Sequence, residues 1–294
     1  MSGNPGYVCG HASNSASAER LAGRFGFSIA EAYADELKIR QLALESQKNT
    51  GSAVCTLPFC CTLEGELLGA RINYGDAQSG PRPGGYIYNG MDELLAGLEK
   101  KGVPDWSLGR MGKTLAAVRI LKNEGKIVAF EISGPLTIVN CLMDLARLFK
   151  AWRKTPEQTQ ILFDRLCDWL FALSMELTDA GVDVISYADP SSDPGIIGPK
   201  FSESLSRDFV IPFLSRLSAS LPKGRMIHVC PRTAHFLAGI NLAAWHEHDF
   251  GRPIAYAEAC ANLAGAGVMF GAACIKQGAR RINSGRIKTL MLNL

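Results

Sequence analysis

The sequence has no apolar run that approaches the roughly 20 residues of a membrane-spanning helix, so we expect no membrane span. Its first residues, MSGNPGYVCGHASNSASAE, lack the charged start and apolar core of a secretory signal. The net charge is only +3, and no basic stripe is interleaved with aromatic residues. These absences argue against a nucleic-acid partner and against a membrane partner, whereas the small positive excess tolerates an anionic substrate.

The nine cysteines form an odd-numbered set in a chain of 294 residues. A chain of this length buries a core that is large enough to be stable without crosslinks. We therefore expect no disulfide framework, a cytoplasmic location, and cysteines that are mostly small buried hydrophobes. Only a cysteine that lies next to another residue able to bind a metal, such as a histidine, needs a further explanation.

Short apolar runs of strand character alternate with helical patterns along most of the chain, and their order predicts an α/β fold with six or seven parallel strands. Residues 19–294 are predicted to form a single domain, preceded by a flexible N-terminal arm of residues 1–18. A (β/α)8 TIM-type barrel is favoured over an open sheet, because the strand ends of a barrel share one mouth and special residues follow several predicted strands. These residues are Gly134, Pro135, Asp189, Pro190, Cys230 and Cys274.

Several predicted elements surround these residues. The segment WHEHDF (245–250) has the composition of a solvated polar turn, and residues 75–90 read as a long loop. Helices are predicted over 137–152, 156–180, 203–218, 234–244 and 254–264, and strands over 53–58, 126–132, 183–187, 226–230, 268–273 and 286–292.

The tripeptide His228-Val229-Cys230 is the most informative local pattern. Residues two apart in a strand project from the same face, so an imidazole and a thiol would point the same way, as two ligands of one zinc ion do. Cys274 follows the next strong strand, and a barrel would bring it to the same mouth. A His-Cys-Cys set with one open position is typical of catalytic Zn²⁺, although a buried core histidine beside an inert cysteine gives the same pattern.

Other residues compete for places in this predicted site. Cys260 is an alternative third ligand, although its segment YAEACANLAG is helical and more typical of core. His235, His246 and His248 are histidine alternatives.

Four further residues are candidates for the mouth of the barrel. Asp189 follows a strand and could orient a substrate or a metal-bound histidine, although Asp-Pro is also a common turn opener. Glu64 lies on a short predicted helix and is a second catalytic candidate. Tyr74 directly precedes the long glycine-rich loop and Arg82 lies within it, and both are candidates for contacting an acidic substrate or a partner.

From Pro58 onward the chain resembles the uroporphyrinogen decarboxylase superfamily, and within it the methylcobamide:thiol methyltransferase branch. The resemblance covers most of residues 20–275. The matching stretches are PFCCTLEGELLGARINYGD (58–76), ISGPLTI (132–138), DAGVDVISYADPSSDPGIIGPKF (179–201) and MIHVC (226–230). The chain lacks the arginine-rich N-terminal segment that holds the substrate's carboxylates in the true decarboxylases. Its interval between Cys230 and Cys274 is also shorter than in the methyltransferases.

The resemblance implies a zinc site at His228, Cys230 and Cys274, which would activate a small thiol or a similar methyl acceptor. The resemblance further implies a carboxylate at the open position when no substrate is bound, for which Glu247 and Glu258 are the candidates. It also implies a corrinoid protein as partner, whose methylcobamide supplies or receives the methyl group. Two other functions stay open at this point. One is decarboxylation of a tetrapyrrole, and the other is a non-enzymatic module that binds a corrinoid or a metal.

Overall fold

The computed structural model describes residues 18–76, 79–263, 268–277 and 279–293. Apart from Ala18, the predicted N-terminal arm lies outside these ranges. Among the described residues, no helix is both long enough and apolar enough to cross a bilayer. The strands are β1 (Val54–Leu57), β2 (Arg71–Asn73), β3 (Arg82–Gly85), β4 (Ile127–Ser133), β5 (Val184–Ala188), β6 (Met226–Val229), β7 (Ala243–Asp249), β8 (Ile254–Ala255), β9 (Met269–Phe270), β10 (Arg281–Ile282) and β11 (Arg286–Leu292).

Helices fill most of the intervals between the strands. They are α1 (Ala18–Arg24), α2 (Ile29–Tyr33), α3 (Glu36–Thr50), α4 (Leu63–Leu67), α5 (Met91–Lys101), α6 (Gly109–Asn123), α7 (Pro135–Leu142), α8 (Leu145–Lys154), α9 (Pro156–Asp179), α10 (Pro194–Ile197), α11 (Pro199–Leu205), α12 (Ile211–Ser220), α13 (Pro231–Gly239) and α14 (Tyr256–Asn262).

The main sheet has seven strands in the order β1-β4-β5-β6-β9-β11-β7. The first five are parallel, with Ser186 of β5 opposite His228 of β6, whereas β11 runs antiparallel to both β9 and β7. In the described part of the chain β1 and β7 are the two edges of this sheet. The α/β fold and its mostly parallel sheet are confirmed. The eight-stranded barrel is not confirmed, because antiparallel β11 lies next to β9, where a barrel would have another parallel strand.

Both faces of the parallel strands are buried, which explains why their sequences are continuous apolar runs. Val184 and Ile185 of β5 belong to two different core clusters, as do Met226 and Ile227 of β6, because successive residues of a strand point to opposite faces. The larger cluster packs the sheet against the helices, and the smaller one includes Tyr256 of α14. The carboxyl ends of the strands are thereby held in fixed positions on one rim.

Three predicted helices differ from the structure. The predicted 137–152 helix divides into α7 and α8, because Met143 is extended and Asp144 caps the next helix by accepting from the Ala146 N–H. The predicted 203–218 helix contains a π-helical turn at Ser206–Val210. The helix predicted over 234–244 is α13, which begins at Pro231 and already ends at Gly239.

The segment WHEHDF was predicted as a polar turn, and that prediction is wrong. After α13, Asn241 adopts a left-handed conformation (φ 59°) that redirects the chain into β7. Most of WHEHDF then pairs with β11, and its histidines face Thr289 and Ile287 across the ladder. Pairing with a distant strand overrode the local composition, which is a common reason why propensity misleads.

Candidate functional site: a thiol-lined cavity at the strand ends

A cavity of about 290 Å³ opens at the carboxyl ends of the parallel strands. Cys61, Cys230 and Cys274 all line it. Cys61 follows β1, Cys230 follows β6 directly, and Cys274 follows β9, so the thiols reach one place from three strands. We call this the strand-end cavity; its other lining residues include Glu131, Asp189, Asp193, Arg232, Phe236 and Lys276.

Four of its charged groups form two ion pairs. Lys276 donates to Glu131 of β4 at 2.7 Å, and Arg232 donates to Asp193 at 2.9 Å. Burial acts to lower the pKa of Lys276, but the Glu131 carboxylate and the thiols of Cys274 and Cys61 outweigh it and raise that pKa above its ordinary value. Lys276 therefore carries its positive charge at neutral pH, beside two of the three cavity thiols.

His228 is buried and lies behind this cavity rather than among its lining residues. Its Nε2 is 2.9 Å from the carbonyl oxygen of Ala273, which can only accept, so Nε2 carries the proton. Nδ1 then accepts from the Ser186 hydroxyl at 2.9 Å. Burial lowers the pKa of His228 to about 4, which fits this neutral tautomer.

The predicted zinc ligands are thus neighbours, but they do not surround a common point. Within the described ranges, no three side chains of His, Cys, Asp or Glu come close enough together to hold one metal ion. Cys230 and Cys274 share the strand-end cavity, whereas both ring nitrogens of His228 have other partners. The donor types suit zinc, but their arrangement in this structure does not.

Asp189 joins the two matching segments ISGPLTI and ADP into one structural unit. Its Oδ1 accepts from the backbone N–H and the hydroxyl of Thr137 at 2.8 and 2.6 Å, and its Oδ2 accepts from the Leu136 N–H at 3.1 Å. The carboxylate therefore caps the first turn of α7 from a different strand end. Gly134 is required beside it, because a Cβ there would overlap the Asp189 side chain.

The surroundings of Asp189 also change its ionisation. Burial raises its pKa to about 6, although the hydrogen bonds from Thr137 and Leu136 act in the opposite direction. Because Asp189 lines the strand-end cavity and bonds to α7, it positions this wall of the cavity. Its carboxyl group can gain or lose a proton close to neutral pH.

The structure does not bring Glu64, Arg82 and Tyr74 to the strand-end cavity. Glu64 is buried in α4, where Oε1 accepts from the Ser133 N–H at 2.9 Å, and burial raises its pKa. Arg82 is exposed in β3 and donates to the Ser79 hydroxyl at 2.9 Å. Neither residue is among those that line the strand-end cavity, although the charge of Glu64 contributes to the raised pKa of Cys61.

Tyr74 instead lines a second cavity of about 600 Å³, between α2, α4 and the start of α6. It donates to Glu66 at 2.6 Å, and Glu66 pairs with the buried Arg110. The guanidinium of Arg110 lies 4.9 Å from the Tyr33 ring and 5.0 Å from the Tyr74 ring. We call this the tyrosine–arginine cavity; Tyr33, Glu66, Tyr74, Ser107, Arg110 and Lys113 are among its lining residues.

The alternative ligands lie elsewhere in the described structure. Cys260 is buried in α14, and Glu258 on the same helix pairs with Arg252 at 2.8 Å. His235 packs against Trp245, with ring centroids 5.0 Å apart. His246, Glu247 and His248 line a different cavity, of about 660 Å³, beside the antiparallel strands.

Sequence reasoning missed Cys61, Glu131, Arg232 and Lys276. Signals for three of them were present: Cys61 follows a predicted strand, Arg232 lies two residues after Cys230, and Lys276 lies two residues after Cys274. Glu131 carried no such signal, because a single carboxylate inside the apolar run KIVAFEI shows its role only when its partner is known.

The curated proteins that are similar to this chain include two methyltransferases. The chain is 25% identical over 223 residues to a methylcobamide:CoM methyltransferase MtaA of Methanosarcina barkeri, covering 74% of this chain and 63% of that relative. It is 26% identical to a methylcobamide:CoM methyltransferase MtbA of Methanosarcina acetivorans, covering 71% of this chain and 60% of that relative. The chain thus spans about six tenths of the length of these relatives.

A solved structure described as a methyltransferase from Methanosarcina mazei matches with a TM-score of 0.57 and 24% identity, over 68% of this chain and 58% of that one. This likeness supports the shared fold. The family model for uroporphyrinogen decarboxylase (URO-D) matches residues 7–247, which is most of the chain. The chain therefore belongs to the uroporphyrinogen decarboxylase (URO-D) family.

Proposed function

We propose that this chain is a methyltransferase that moves a methyl group between a corrinoid protein and a small thiol, in the strand-end cavity. The observation that carries the proposal is the meeting of Cys61, Cys230 and Cys274 in one cavity beside the charged Lys276. The names of the relatives, which are methylcobamide:CoM methyltransferases, support the reaction class.

The cavity suits a small acceptor better than a tetrapyrrole. Its volume of about 290 Å³ is at the lower end of small-molecule sites. The two cations in its wall are already paired with Glu131 and Asp193, and Asp189 adds a further acidic group. A tetrapyrrole with many carboxylates would require an excess of positive charge here, so these charges weigh against decarboxylation.

In the proposed reaction, the acceptor gives its proton to solvent and attacks as the thiolate, because the thiolate is the nucleophile. The Lys276 ammonium lies close to Cys274 and Cys61 and favours negative charge on sulfur in this part of the cavity. The sulfur forms a bond to the methyl carbon while the carbon–cobalt bond of the corrinoid breaks and leaves its electron pair on cobalt. Asp189 holds the Gly134–Thr137 turn and keeps that wall in place.

We further propose that the cavity binds a zinc ion. Bound Zn²⁺ would act as a Lewis acid that keeps a coordinated thiol deprotonated. His228, Cys230 and Cys274 would hold the metal ion. His228 would have to exchange its hydrogen bond to the Ala273 carbonyl, or the one to Ser186, for the metal. The described arrangement presents no such set of three donors, so the steps above do not depend on the metal.

Metal content tests the zinc assignment. We expect purified protein to hold about one zinc per chain, and His228→Ala and Cys230→Ala to lose it, because three-ligand sites rarely keep zinc with two. Cys260→Ala is the matched control, since Cys260 is a buried cysteine on α14, and it should keep the metal. Zinc that survives both ligand substitutions, or its absence from the parent protein, would overturn this assignment.

A spectral assay tests the reaction itself. Methylcobalamin is mixed with the protein and with coenzyme M or homocysteine, and demethylation is followed by absorbance. We expect thiol-dependent demethylation that Lys276→Met reduces at least about ten-fold, which equals 1.4 kcal/mol of lost stabilisation. Binding of methylcobalamin without turnover for any thiol would support a corrinoid-binding module and contradict the proposed enzyme.

A further inference from the structure

Ser206 and Thr233 bring two hydroxyl groups to the wall of the strand-end cavity. Ser206 is 5% exposed and Thr233 is 9% exposed, so both side chains are almost entirely buried. Neither hydroxyl has a hydrogen-bond partner among the described residues. Ser192, which also lines the cavity, differs from them because its hydroxyl donates to the Asp189 carbonyl oxygen at 2.7 Å. The cavity therefore presents two buried hydroxyl groups whose hydrogen bonds a ligand can complete.

Other hydroxyl groups in the helices of this protein bond within their own helix. Those of Thr114, Ser174 and Ser215 donate to the carbonyl oxygen four residues earlier, at 2.7, 2.7 and 2.8 Å respectively. A hydroxyl in that arrangement has its proton engaged by the backbone and offers little to a ligand. Ser206 and Thr233 do not form this bond, so their protons stay available to a molecule in the cavity.

The backbone at both residues departs from the interior of a regular helix. Ser206 opens a π-helical turn, in which its carbonyl oxygen accepts from the Ile211 N–H five residues later. Single π-helical turns are rare and are found frequently at functional sites. Thr233 lies in the first turn of α13, where the residue four positions earlier is Val229 of β6. The two hydroxyls thus reach the cavity from two different elements, at places where the helical hydrogen-bond pattern is interrupted.

The charged groups of the cavity provide no excess of positive charge for an anionic ligand. Its two cations, Lys276 and Arg232, are paired with Glu131 and Asp193, and Asp189 is a third acidic group in the wall. A thiolate beside Lys276 already adds one negative charge to this lining. A second anionic group on the same molecule would add another in a space with low exposure to solvent, where like charges repel strongly. These charges favour an acceptor whose other end is polar but uncharged.

We propose that the methyl acceptor is a short thiol with an uncharged hydroxyl group, and that Ser206 and Thr233 bind this hydroxyl while the sulfur lies beside Lys276. Each side-chain hydroxyl can donate one hydrogen bond and accept others, which matches a ligand hydroxyl that does the same. The volume of about 290 Å³ suits a molecule of this size. The acceptor is that of the methyl transfer proposed above, on which this assignment rests, and the bonds that form and break are the same.

A matched panel of thiols tests the chemistry of the acceptor. Mercaptoethanol carries a hydroxyl group, whereas propanethiol has a methyl group in its place, coenzyme M a sulfonate and cysteamine an ammonium group. Demethylation of methylcobalamin gives kcat/KM for each thiol, corrected for its thiolate fraction at the assay pH. We expect mercaptoethanol to exceed propanethiol about ten-fold, which is the effect of one or two added hydrogen bonds. A value for any of the other three thiols that equals or exceeds that of mercaptoethanol would overturn the proposal.

Single substitutions test the two hydroxyls. We expect Ser206→Ala and Thr233→Val each to lower the preference for mercaptoethanol over propanethiol about three-fold, because each removes one hydrogen-bonding group. The preference is a ratio of two values from the same protein, so a loss of folded protein does not change it. Ser215→Ala is the matched control and should keep the ratio, since the Ser215 hydroxyl bonds within α12 and the residue lines a different cavity. An unchanged ratio in Ser206→Ala or in Thr233→Val would contradict the assignment.

Binding of the methylated products separates this assignment from the reaction itself. Methylthioethanol and methyl propyl sulfide are the products from mercaptoethanol and propanethiol, and their binding to the native chain, measured by NMR titration, requires no turnover. We expect methylthioethanol to bind about ten-fold more tightly. Tighter binding without demethylation by any thiol would support the hydroxyl site and reject the methyl transfer. Equal binding of the two products would reject the hydroxyl site, whatever the outcome of the demethylation assay.

Discussion

Asp189 of the strand-end cavity and Arg110 of the tyrosine–arginine cavity are almost equally buried, at 3% and 7% exposed. Burial nevertheless has a different effect on the ionisation of the two side chains. The three donors to Asp189 are neutral groups of Leu136 and Thr137, and burial still raises its pKa to about 6. Burial acts to lower the pKa of Arg110, but the Cys60 sulfur and the Glu66 carboxylate beside it outweigh burial and raise that pKa. In this protein an opposite charge offsets burial, whereas neutral hydrogen bonds do so only in part.

Gly134→Ala has the largest expected effect, because it breaks the packing that fixes Asp189. The new Cβ would overlap the Asp189 side chain and force the carboxylate away from the start of α7. We expect a loss of about 4 kcal/mol in the free energy of unfolding, from overpacking together with lost hydrogen bonds. Urea unfolding measures it. Gly239→Ala is the control, since a Cβ there meets nothing within 4 Å, and an effect equal to that of Gly134→Ala would contradict the packing argument.

Arg110→Met comes next, because it removes the charge that the tyrosine–arginine cavity is built around. Glu66 would lose its cation, Cys60 would lose a hydrogen-bond donor, and the Tyr33 and Tyr74 rings would lose the guanidinium that they face. We expect a loss of about 3 kcal/mol, as for other buried pairs that lose one partner. Arg119→Met on the same helix is the matched control.

The pair between Arg119 and Glu176 is exposed on both sides, so its loss should cost about 0.5 kcal/mol or less. Equal effects of the Arg110 and Arg119 substitutions on chemical denaturation would show that burial of the Arg110 pair makes no difference.

The pH dependence of stability isolates Asp189. Its pKa is about 6 in the folded chain against 3.8 ordinarily, so the folded state binds the proton more tightly than the unfolded state. The resulting stabilisation is complete below about pH 4 and is lost as the pH rises through 6. Relative to Asp189→Asn, the parent protein should lose about 3 kcal/mol between pH 4 and pH 7. A difference between the two proteins that is constant with pH would contradict the shift.

Tyr74→Phe has the smallest expected effect. Tyr74 is 43% exposed, and the substitution removes its hydrogen bond to Glu66 but keeps the ring against Arg110. We expect a change of about 0.5 kcal/mol or less in the free energy of unfolding. In Tyr33→Phe the lost hydroxyl is buried between Phe59 N–H and Cys60, and the expected loss is about 1–2 kcal/mol. Thermal unfolding that ranks the two tyrosines in the opposite order would break the comparison.

The sequence predicted the parallel part of the fold well. Strands such as β4, β5 and β6 are continuous apolar runs, and the residues that follow them were expected to share one rim. Cys230, Cys274 and Asp189 do line one cavity. This succeeded because the direction of a parallel strand fixes the position of its carboxyl end, whatever the details of packing.

Two parts could not be read from local patterns. The antiparallel position of β11 depends on pairing between residues far apart, as the register of Leu290 with both Trp245 and Met269 shows. The orientation of His228 depends on Ser186, which lies on β5, and on Ala273, which lies in the bend after β9. The rule that residues two apart share a face placed His228 and Cys230 together, but Cys230 already belongs to the turn after β6, where the alternation stops.

The position of β11 has a consequence for the order of folding. Among the described strands, β7 pairs only with β11, which follows it by several elements along the chain. During synthesis on the ribosome, β1, β4, β5 and β6 can pair as they emerge, whereas β7 must wait with an unsatisfied edge until residues 286–292 are made. Such an interval exposes a strand that can associate with other chains. Ribosome-bound intermediates that end before β11 should therefore be the ones that chaperones capture.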